Sequence, residues 1–314
     1  MAESTEFAGP GCRSALVTGG TSGLGLAEWE PRCCAVGDHT GVLDSARTQA
    51  WTMTWACDDG VMRVLIPLPD RDFDVTEVAV PWRVLRDAGH QVVFATEQAG
   101  TLPAADPRLL NGVLFGQLGA AAEARSYYAE LTMAAEFTAT QAWAGLDAAA
   151  FDGLLLPGGH APGMRQYLGS PVLREQVARF WATGRPVGAI CHGVLVLART
   201  RDAAGRSVLA DRRTTCLPKY MERVAYLTTA WRLGRYYRTY PAYVEDEVKL
   251  ALDSPDRQFE RGPVALTARG TATDDTAAFV VQDRNYLSAR WPGDAYLFAR
   301  HFRDLLQSAP QPTR

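Results

Sequence analysis

The chain has 314 residues, enough for one large domain or two of modest size, and its 47% hydrophobic and 21% charged residues are ordinary for a globular protein. Its net charge of -3 gives no overall attraction to nucleic acid or to an anionic membrane, so we expect neither as a partner. No apolar run approaches the roughly 18–20 residues of a membrane span, and the N-terminus lacks a secretory signal, which predicts a cytoplasmic protein with reduced thiols.

The first sixty residues differ in composition from the rest of the chain, because they hold four of the six cysteines. Residues 14–27, SALVTGGTSGLGLA, resemble the opening of a short-chain dehydrogenase/reductase, in which such a glycine-rich turn holds a dinucleotide pyrophosphate. The second strand and ribose-binding acid that this site needs about 20 residues later do not follow, since neither Asp38 nor Asp44 comes after a plausible strand. We therefore interpret residues 1–60 as an irregular or disordered leader that carries a truncated motif, and Met62 as a candidate natural start.

From residue 61 onward, short apolar runs alternate with helical patterns. The predicted strands are 61–68, 91–96, 151–157 and 186–190, and the predicted helices are 75–88, 120–135 and 172–182. Such a βαβ order implies a mostly parallel sheet, with 100–150 as an insertion. Asp74 and Glu77 have the spacing of a capping box at the start of the first helix.

The last third of the chain is less regular. Residues 212–248 are rich in tyrosine and arginine, and we interpret them as a packed helical subdomain with solvated arginines; a surface for anionic ligands or nucleic acid is the alternative. Late strands are predicted near 264–268, 279–281 and 286–288, followed by a closing helix that Asp294 caps.

The stretch RPVGAICHGVLVLAR, residues 185–199, has the outline of a nucleophile elbow, in which a buried strand turns sharply into a helix. Ala189 and Gly193 supply the small residues that such a strained turn requires on either side of Cys191. At a helix N-terminus, the thiolate form of Cys191 is favoured, because the helix dipole lowers the pKa of the thiol. The alternative interpretation is that Cys191 is a small buried hydrophobic residue.

Three stretches with useful chemistry follow strands of the predicted sheet and should meet at its carboxyl edge: Glu77, the segment 158–160, and Cys191 with His192. Glu77 is either a capping residue or a partly protonated carboxyl that hydrogen-bonds Cys191. The two histidines, His160 and His192, are either structural or part of the site.

The glycines of this edge are candidates for an oxyanion or substrate site. Gly158 and Gly159 expose backbone N–H groups, and with the N–H of His192 they form a possible oxyanion hole. We count His160 and Gly193 with the same substrate-binding group. The cysteines lack zinc-type spacing, so no metal site is expected.

Three motifs resemble the ThiJ/PfpI superfamily, the class I glutamine amidotransferase-like fold that includes the Parkinson-associated deglycase. They are TEVAVPWRVLRDAGHQVVFAT around Glu77, LLLPGGHAPGM around Gly159 and GRPVGAICHGVLVLA around Cys191. The resemblance runs from about Met62 to Leu306. It implies a flavodoxin-like three-layer sandwich over 61–310, with a mostly parallel sheet and helical insertions. It also implies a reactive Cys191 with His192 beside it and Glu77 nearby.

The long insertion and the PGGHA form are similar to the larger branch of that family, which includes heat-shock chaperones with glutathione-independent glyoxalase activity. That branch completes a Cys-His-acid triad with a carboxylate downstream of the elbow. Glu222 is the nearest candidate here, with Glu245, Asp246 and Glu247 as rivals. We see no His-x-Glu pair near the C-terminus, which argues against glutamine hydrolysis.

The resemblance implies a glyoxalase III or deglycase-like enzyme of the D-lactate dehydratase type, which converts a small aldehyde such as methylglyoxal to a hydroxy acid without a cofactor. An amide or peptide hydrolase of the same fold is one alternative. A holdase chaperone or oxidant sensor, in which Cys191 is oxidised, is another. The expected partner is the aldehyde substrate, and the resemblance makes a homodimer possible.

Overall fold

The computed structural model describes residues 60–112, 119–265 and 267–309, together with the backbone of 8–9 and 12–13. The chain divides into two compact units, Met1–Gly60 and Val61–Arg314.

In the first unit, strands β1 (Ala8–Gly9) and β2 (Cys12–Arg13) pair antiparallel. The dinucleotide-like turn at 14–27 lies outside the described residues, as does nearly all of the leader predicted over 1–60. Both stay predictions.

The second unit is an α/β fold. Its strands are β3 (Arg63–Pro67), β4 (Arg71–Phe73), β5 (Gln91–Thr96), β6 (Ala104–Ala105), β7 (Gln141–Ala142), β8 (Gly153–Leu156), β9 (Val187–Ile190), β10 (Val280–Asp283) and β11 (Tyr286–Ala289). Its helices are α1 (Val75–Asp87), α2 (Pro107–Asn111), α3 (Ala122–Leu131), α4 (Ala135–Thr138), α5 (Met164–Gly169), α6 (Pro171–Trp181), α7 (Val194–Arg199), α8 (Lys219–Leu233), α9 (Val244–Leu250), α10 (Pro255–Gln258) and α11 (Ala295–Ser308).

Seven of the described strands form one sheet in the order β10-β11-β9-β8-β3-β5-β7. Each neighbouring pair is parallel except the β10–β11 hairpin. Helix α1 packs against α3 and α11, whereas α7 packs against α5, α6 and α9, so the sheet separates two groups of helices. The predicted flavodoxin-like α/β class, with its mostly parallel sheet, is confirmed.

The strands at the centre of the sheet are short apolar runs buried on both sides. Every residue of β8 and β9 is buried, which is why an uninterrupted apolar pattern, rather than an alternating one, marks them in the sequence. Their carboxyl ends, with that of β3, lead into the loops that hold the candidate site.

The predicted boundaries agree closely at this centre and less well elsewhere. The strand predicted over 264–268 is wrong: the described residues of that stretch form loop, and Val264 is 77% exposed, so its apolar character reflects no burial. The helix predicted over 120–135 is two helices, α3 and α4, with a turn between them.

The start of α11 also differs from expectation. Asp294 occupies the N-cap position, but its side chain makes no capping bond. The carboxylate instead binds the Arg290 guanidinium, with Nη2–Oδ1 at 2.8 Å, and accepts from the N–H of Phe279 at 3.0 Å. Both charged side chains are fully buried, so each needs the other to offset its loss of hydration.

None of the described helices is both long and apolar enough to cross a membrane.

Candidate active site

The backbone bends sharply where β9 ends, and Cys191 lies at the bend. Cys191 has φ 57°, in the left-handed region that residues with a side chain seldom occupy. Residues Cys191–Gly193 form a 3-10 turn that leads directly into α7. Strained backbone of this kind persists only where the surrounding structure imposes it, and it clusters at functional sites. The predicted elbow is therefore present in the fold.

Gly193 allows the elbow to pack against the neighbouring strand. A Cβ at this position would lie 2.1 Å from the carbonyl oxygen of Leu156 at the end of β8. Only glycine permits that approach. Gly193 thus has the packing role that the elbow pattern predicted, and its predicted place in the substrate-binding group stays a prediction.

Glu77 reaches the elbow from the first turn of α1. Asp74 caps this helix, because its Oδ1 accepts from the N–H groups of Thr76 at 2.8 Å and of Glu77 at 3.2 Å. The other half of the predicted capping box is wrong: the Glu77 carboxyl does not return to the Asp74 N–H, which donates to the Gly158 carbonyl at 2.8 Å.

Glu77 Oε2 instead accepts the Gly158 N–H at 2.7 Å. The Gly158 N–H is therefore engaged, and the prediction of Gly158 as an oxyanion donor is corrected: this amide orients Glu77. The N–H of Gly159 donates to no described residue, so its role as the second oxyanion donor stays a prediction.

The Glu77 carboxyl is fully buried, and burial raises its pKa well above the ordinary value, with the charge of Asp74 adding to the effect. The raised pKa favours the protonated form of the carboxyl. It lies close enough to the Cys191 thiol for each group to shift the pKa of the other. Glu77 Oε1 has no hydrogen-bond partner among the described residues, so the predicted hydrogen bond between a protonated Glu77 and Cys191 stays a prediction.

The pKa of the Cys191 thiol is raised well above its ordinary value, chiefly by burial, and Glu77 and Asp74 raise it further when their carboxyls are ionised. The lowered pKa predicted from the helix N-terminus is wrong, since desolvation of a sulfur that is 1% exposed outweighs the dipole of the six-residue helix α7. The N–H of His192 opposes this by hydrogen bonding to the sulfur. The resting state is thus a thiol beside a carboxylic acid.

His192 supplies the base next to this thiol. Its Nδ1 lies 3.4 Å from the Cys191 sulfur. Burial lowers the pKa of His192 well below the ordinary value, and the nearby His160 and Arg199 lower it further. The imidazole is therefore neutral, and in the tautomer that leaves Nδ1 without a proton it can accept the thiol proton.

His160 packs edge-on against His192, with ring centroids 4.6 Å apart, and against Tyr237 at 5.0 Å. Burial lowers the pKa of His160 to about 4, so this ring is also neutral. Tyr237 was missed by the sequence analysis, because the tyrosine-rich segment 212–248 contains no feature that distinguishes it from the other tyrosines.

No described carboxylate completes a triad with His192. Glu222 is buried, but its Oε2 accepts the N–H of Val244 at 3.1 Å, at the start of α9. Burial raises the pKa of Glu222 to about 7. The geometry thus gives Glu222 a helix end as its partner and offers no support for its predicted role as the third catalytic residue.

The three rival acids are held by cations. Glu247 binds Arg199 through two bonds of 2.6 and 2.8 Å, and Asp246 binds Lys219 Nζ at 2.6 Å. Glu245 binds Lys249 and Arg261, which, with the Lys219 N–H, hold its pKa down to about 2 in spite of burial.

The described residues include no group of three or more histidine, cysteine or acidic side chains that could hold a metal ion. The groups gathered at the elbow are a thiol, a carboxylic acid, a neutral imidazole and backbone amides. Together they can perform nucleophilic addition and proton transfer.

The chain is similar to known proteins over most of its length. A family model described as ThiJ/PfpI family-like matches residues 68–263. A deglycase of Pyrococcus abyssi is 27% identical over 246 residues, which cover 78% of this chain and all of the relative. An uncharacterized protein of Schizosaccharomyces pombe is 29% identical over 256 residues, which cover 79% of this chain and 85% of the relative.

The solved structures show a likeness of fold. The crystal structure of glyoxalase III from Candida albicans matches with a TM-score of 0.57 at 16% identity, over 78% of this chain and 98% of that chain. The matched family model spans more than half of this sequence, and the motifs around Glu77, Gly159 and Cys191 lie inside its range. The chain belongs to the ThiJ/PfpI family.

Proposed function

We propose that the protein converts a small 2-oxoaldehyde of the methylglyoxal type to a 2-hydroxy acid, with Cys191 as the nucleophile. The observation that carries this proposal is the position of the Cys191 sulfur, at a strained bend, 3.4 Å from His192 Nδ1 and near the buried Glu77 carboxyl. The name of the Pyrococcus abyssi relative, a deglycase, supports chemistry on aldehydes or their adducts.

In the first step the sulfur bonds to the aldehyde carbon while His192 Nδ1 accepts the thiol proton. The carbonyl π electrons move to the oxygen, which the N–H of Gly159 stabilises, joined by the N–H of His192 once that amide leaves the sulfur. Return of the proton to this oxygen gives a thiohemiacetal. Because the thiol is neutral at rest, a base within reach is required, and His192 is that base.

In the second step, a proton leaves the former aldehyde carbon and a proton is added to the adjacent ketone carbon, with an enediol between. Glu77 or His192 carries this proton. One carbon is oxidised and its neighbour reduced, so no external oxidant or cofactor is needed. The resulting thioester is hydrolysed by water, which releases the hydroxy acid and restores the Cys191 thiol.

The test compares the wild type with Cys191→Ser in an assay that follows lactate formed from methylglyoxal. We expect the variant to lose at least about 1,000-fold in kcat, because a serine hydroxyl is a far weaker nucleophile without a stronger base. Cys216→Ser is the matched control, since Cys216 is also a buried free cysteine but lies outside this site. Undiminished turnover by Cys191→Ser would overturn the proposal.

Deglycation is a second candidate, favoured by the names of the Pyrococcus abyssi and Pyrococcus furiosus relatives. It would use the same addition of sulfur to the aldehyde-derived carbon, with release of an amine or thiol. Loss of a methylglyoxal adduct of N-acetylarginine, measured with both cysteine variants, distinguishes it from action on the free aldehyde alone.

A holdase activity that survives Cys191→Ser would instead favour a chaperone, because client binding requires surface and no nucleophile.

A further inference from the structure

Asp72 has a strained backbone conformation that no tight turn explains. Among the described residues, three other than glycine have positive φ: Asp72 at 76°, Cys191 at 57° and Arg284 at 59°. Arg284 lies in the turn between β10 and β11, and Cys191 at the elbow. Asp72 is the middle residue of strand β4, where extended backbone is the rule.

The strand pairing shows how this conformation is accommodated. Arg71 pairs with Ala104, and Phe73 pairs with Ala105, the next residue of β6, so Asp72 is left without a partner. This is a β-bulge, a feature that redirects one side chain and is common beside active sites. The bulge turns Asp72 out of the strand register.

The redirected residue contacts the loop 158–163 at two places. Asp72 Oδ2 accepts the N–H of Gly163 at 2.7 Å. The Asp72 carbonyl oxygen lies against Gly159, where an added Cβ would approach it to 2.7 Å. Two residues further on, the N–H of Asp74 donates to the Gly158 carbonyl. The loop is therefore held near both of its ends by the segment 72–74.

That loop carries several groups of the site. It presents the N–H of Gly159 and the His160 ring that packs on His192, and its Gly158 N–H orients Glu77. Three of the six residues of this loop are glycines, which have no side chains to fix their positions. Thr239 Oγ1 donates to the His160 carbonyl in the middle of the loop. Asp72 supplies the contacts at Gly159 and Gly163.

We propose that Asp72 is a positioning residue for the reaction at Cys191, and that its bulged backbone and its carboxylate together hold the loop 158–163 against the elbow. As far as turnover is concerned, this inference rests on the proposed aldehyde chemistry. It assigns Asp72 no contact with substrate.

Three substitutions at Asp72 separate the contribution of its carboxylate from that of its bulged backbone. Asp72→Asn keeps an acceptor oxygen and tolerates positive φ, and it should stay within about 3-fold of the wild-type kcat. Asp72→Gly keeps the backbone conformation but removes the acceptor, and Asp72→Ala removes both. For these two we expect kcat with methylglyoxal to fall about 10-fold to 100-fold, with the larger loss in Asp72→Ala and with KM little changed, because small misplacements of catalytic groups cost that much. Glu97→Gln, an exposed acid of the same region, is the matched control.

A second readout does not depend on turnover. Iodoacetamide should alkylate Cys191 several-fold faster in Asp72→Gly and Asp72→Ala than in the wild type or Asp72→Asn, because a released loop uncovers the thiol; peptide mass spectrometry measures this rate. If these two variants lower the melting temperature but leave both kcat and the alkylation rate at wild-type values, Asp72 is only structural and the inference is overturned. If the wild type does not turn over methylglyoxal, the proposed function fails, while the alkylation series still decides the positioning role.

Discussion

Two regions of the molecule satisfy their buried carboxyls differently. At the elbow, Glu77 accepts a backbone amide and faces no cation. In the α8–α9 segment, 219–250, Glu245 lies among Lys249 and Arg261. The pKa of Glu77 is raised well above its ordinary value, whereas that of Glu245 falls to about 2.

The carboxyl at the elbow is suited to proton transfer, whereas the carboxylate of the α8–α9 segment has a structural role. A carboxyl without a cation keeps its proton and can give it to a reacting group, which is useful beside a thiol. A carboxylate bound by cations is ionised and committed to holding helices together. Glu245, Asp246 and Glu247 were therefore poor candidates for a catalytic triad, whereas Glu222, whose pKa is raised to about 7, is engaged by the Val244 N–H.

The largest effect should come from breaking the elbow itself. Gly193→Ala would place a Cβ 2.1 Å from the Leu156 carbonyl oxygen, so β8 and the elbow must separate. We expect the free energy of unfolding to fall by about 3 kcal/mol or more, measured by urea denaturation. In Gly145→Ala the new Cβ meets nothing within 4 Å, and this control should unfold like the wild type. Equal stability of the two variants would contradict the packing at the elbow.

Replacing the Glu77 carboxyl by an amide tests whether this group takes part in proton transfer. Glu77→Gln keeps an acceptor for the Gly158 amide but cannot exchange a proton, and kcat with methylglyoxal should fall about 100-fold or more.

Glu77→Gln should also change how the free energy of unfolding depends on pH. Because the pKa of Glu77 is raised in the folded state, the folded protein binds the proton more tightly than the unfolded chain, and stability is lost as pH rises above the ordinary glutamate value. Glutamine cannot ionise. The unfolding free energy of Glu77→Gln relative to the wild type should therefore increase from pH 5 to pH 8 in urea denaturation. A constant difference between the two proteins would mean that Glu77 is ionised throughout.

The smallest effect on activity is expected for Glu222→Gln. The Glu222 pKa rises from about 4.5 to about 7 on folding, so the wild type loses up to about 3 kcal/mol of stability between pH 5 and pH 8, and the variant should lose less. Its kcat should stay within about 3-fold of the wild type, because Glu222 contacts α9 and not His192. Glu175→Gln, at an exposed site on α6, should match the wild type in both measurements. A loss of activity comparable to that of Cys191→Ser would restore Glu222 as a triad acid.

The features that could be predicted were those that depend on neighbouring residues. The apolar run from Val187 to Ile190 predicts a buried strand, and Cys191 followed by Gly193 predicts a strained turn. Both features show in the residue types themselves. Asp74 was identified as a helix cap for the same reason. In contrast, the described residues of the apolar run that begins at Val264 form no strand, since Val264 is 77% exposed and the N–H of the buried Ala265 donates to the Tyr220 hydroxyl. Local pattern cannot detect that arrangement.

The amino-acid sequence by itself determined the α/β class, the elbow and the family motifs, since strand and helix periodicity and turn geometry are local properties. Only the tertiary structure decided that Glu77 accepts an amide 81 residues away at Gly158, that Glu222 caps α9, and that Asp72 holds the glycine loop. Such contacts depend on how distant segments pack, and burial in that packing sets which groups keep their protons.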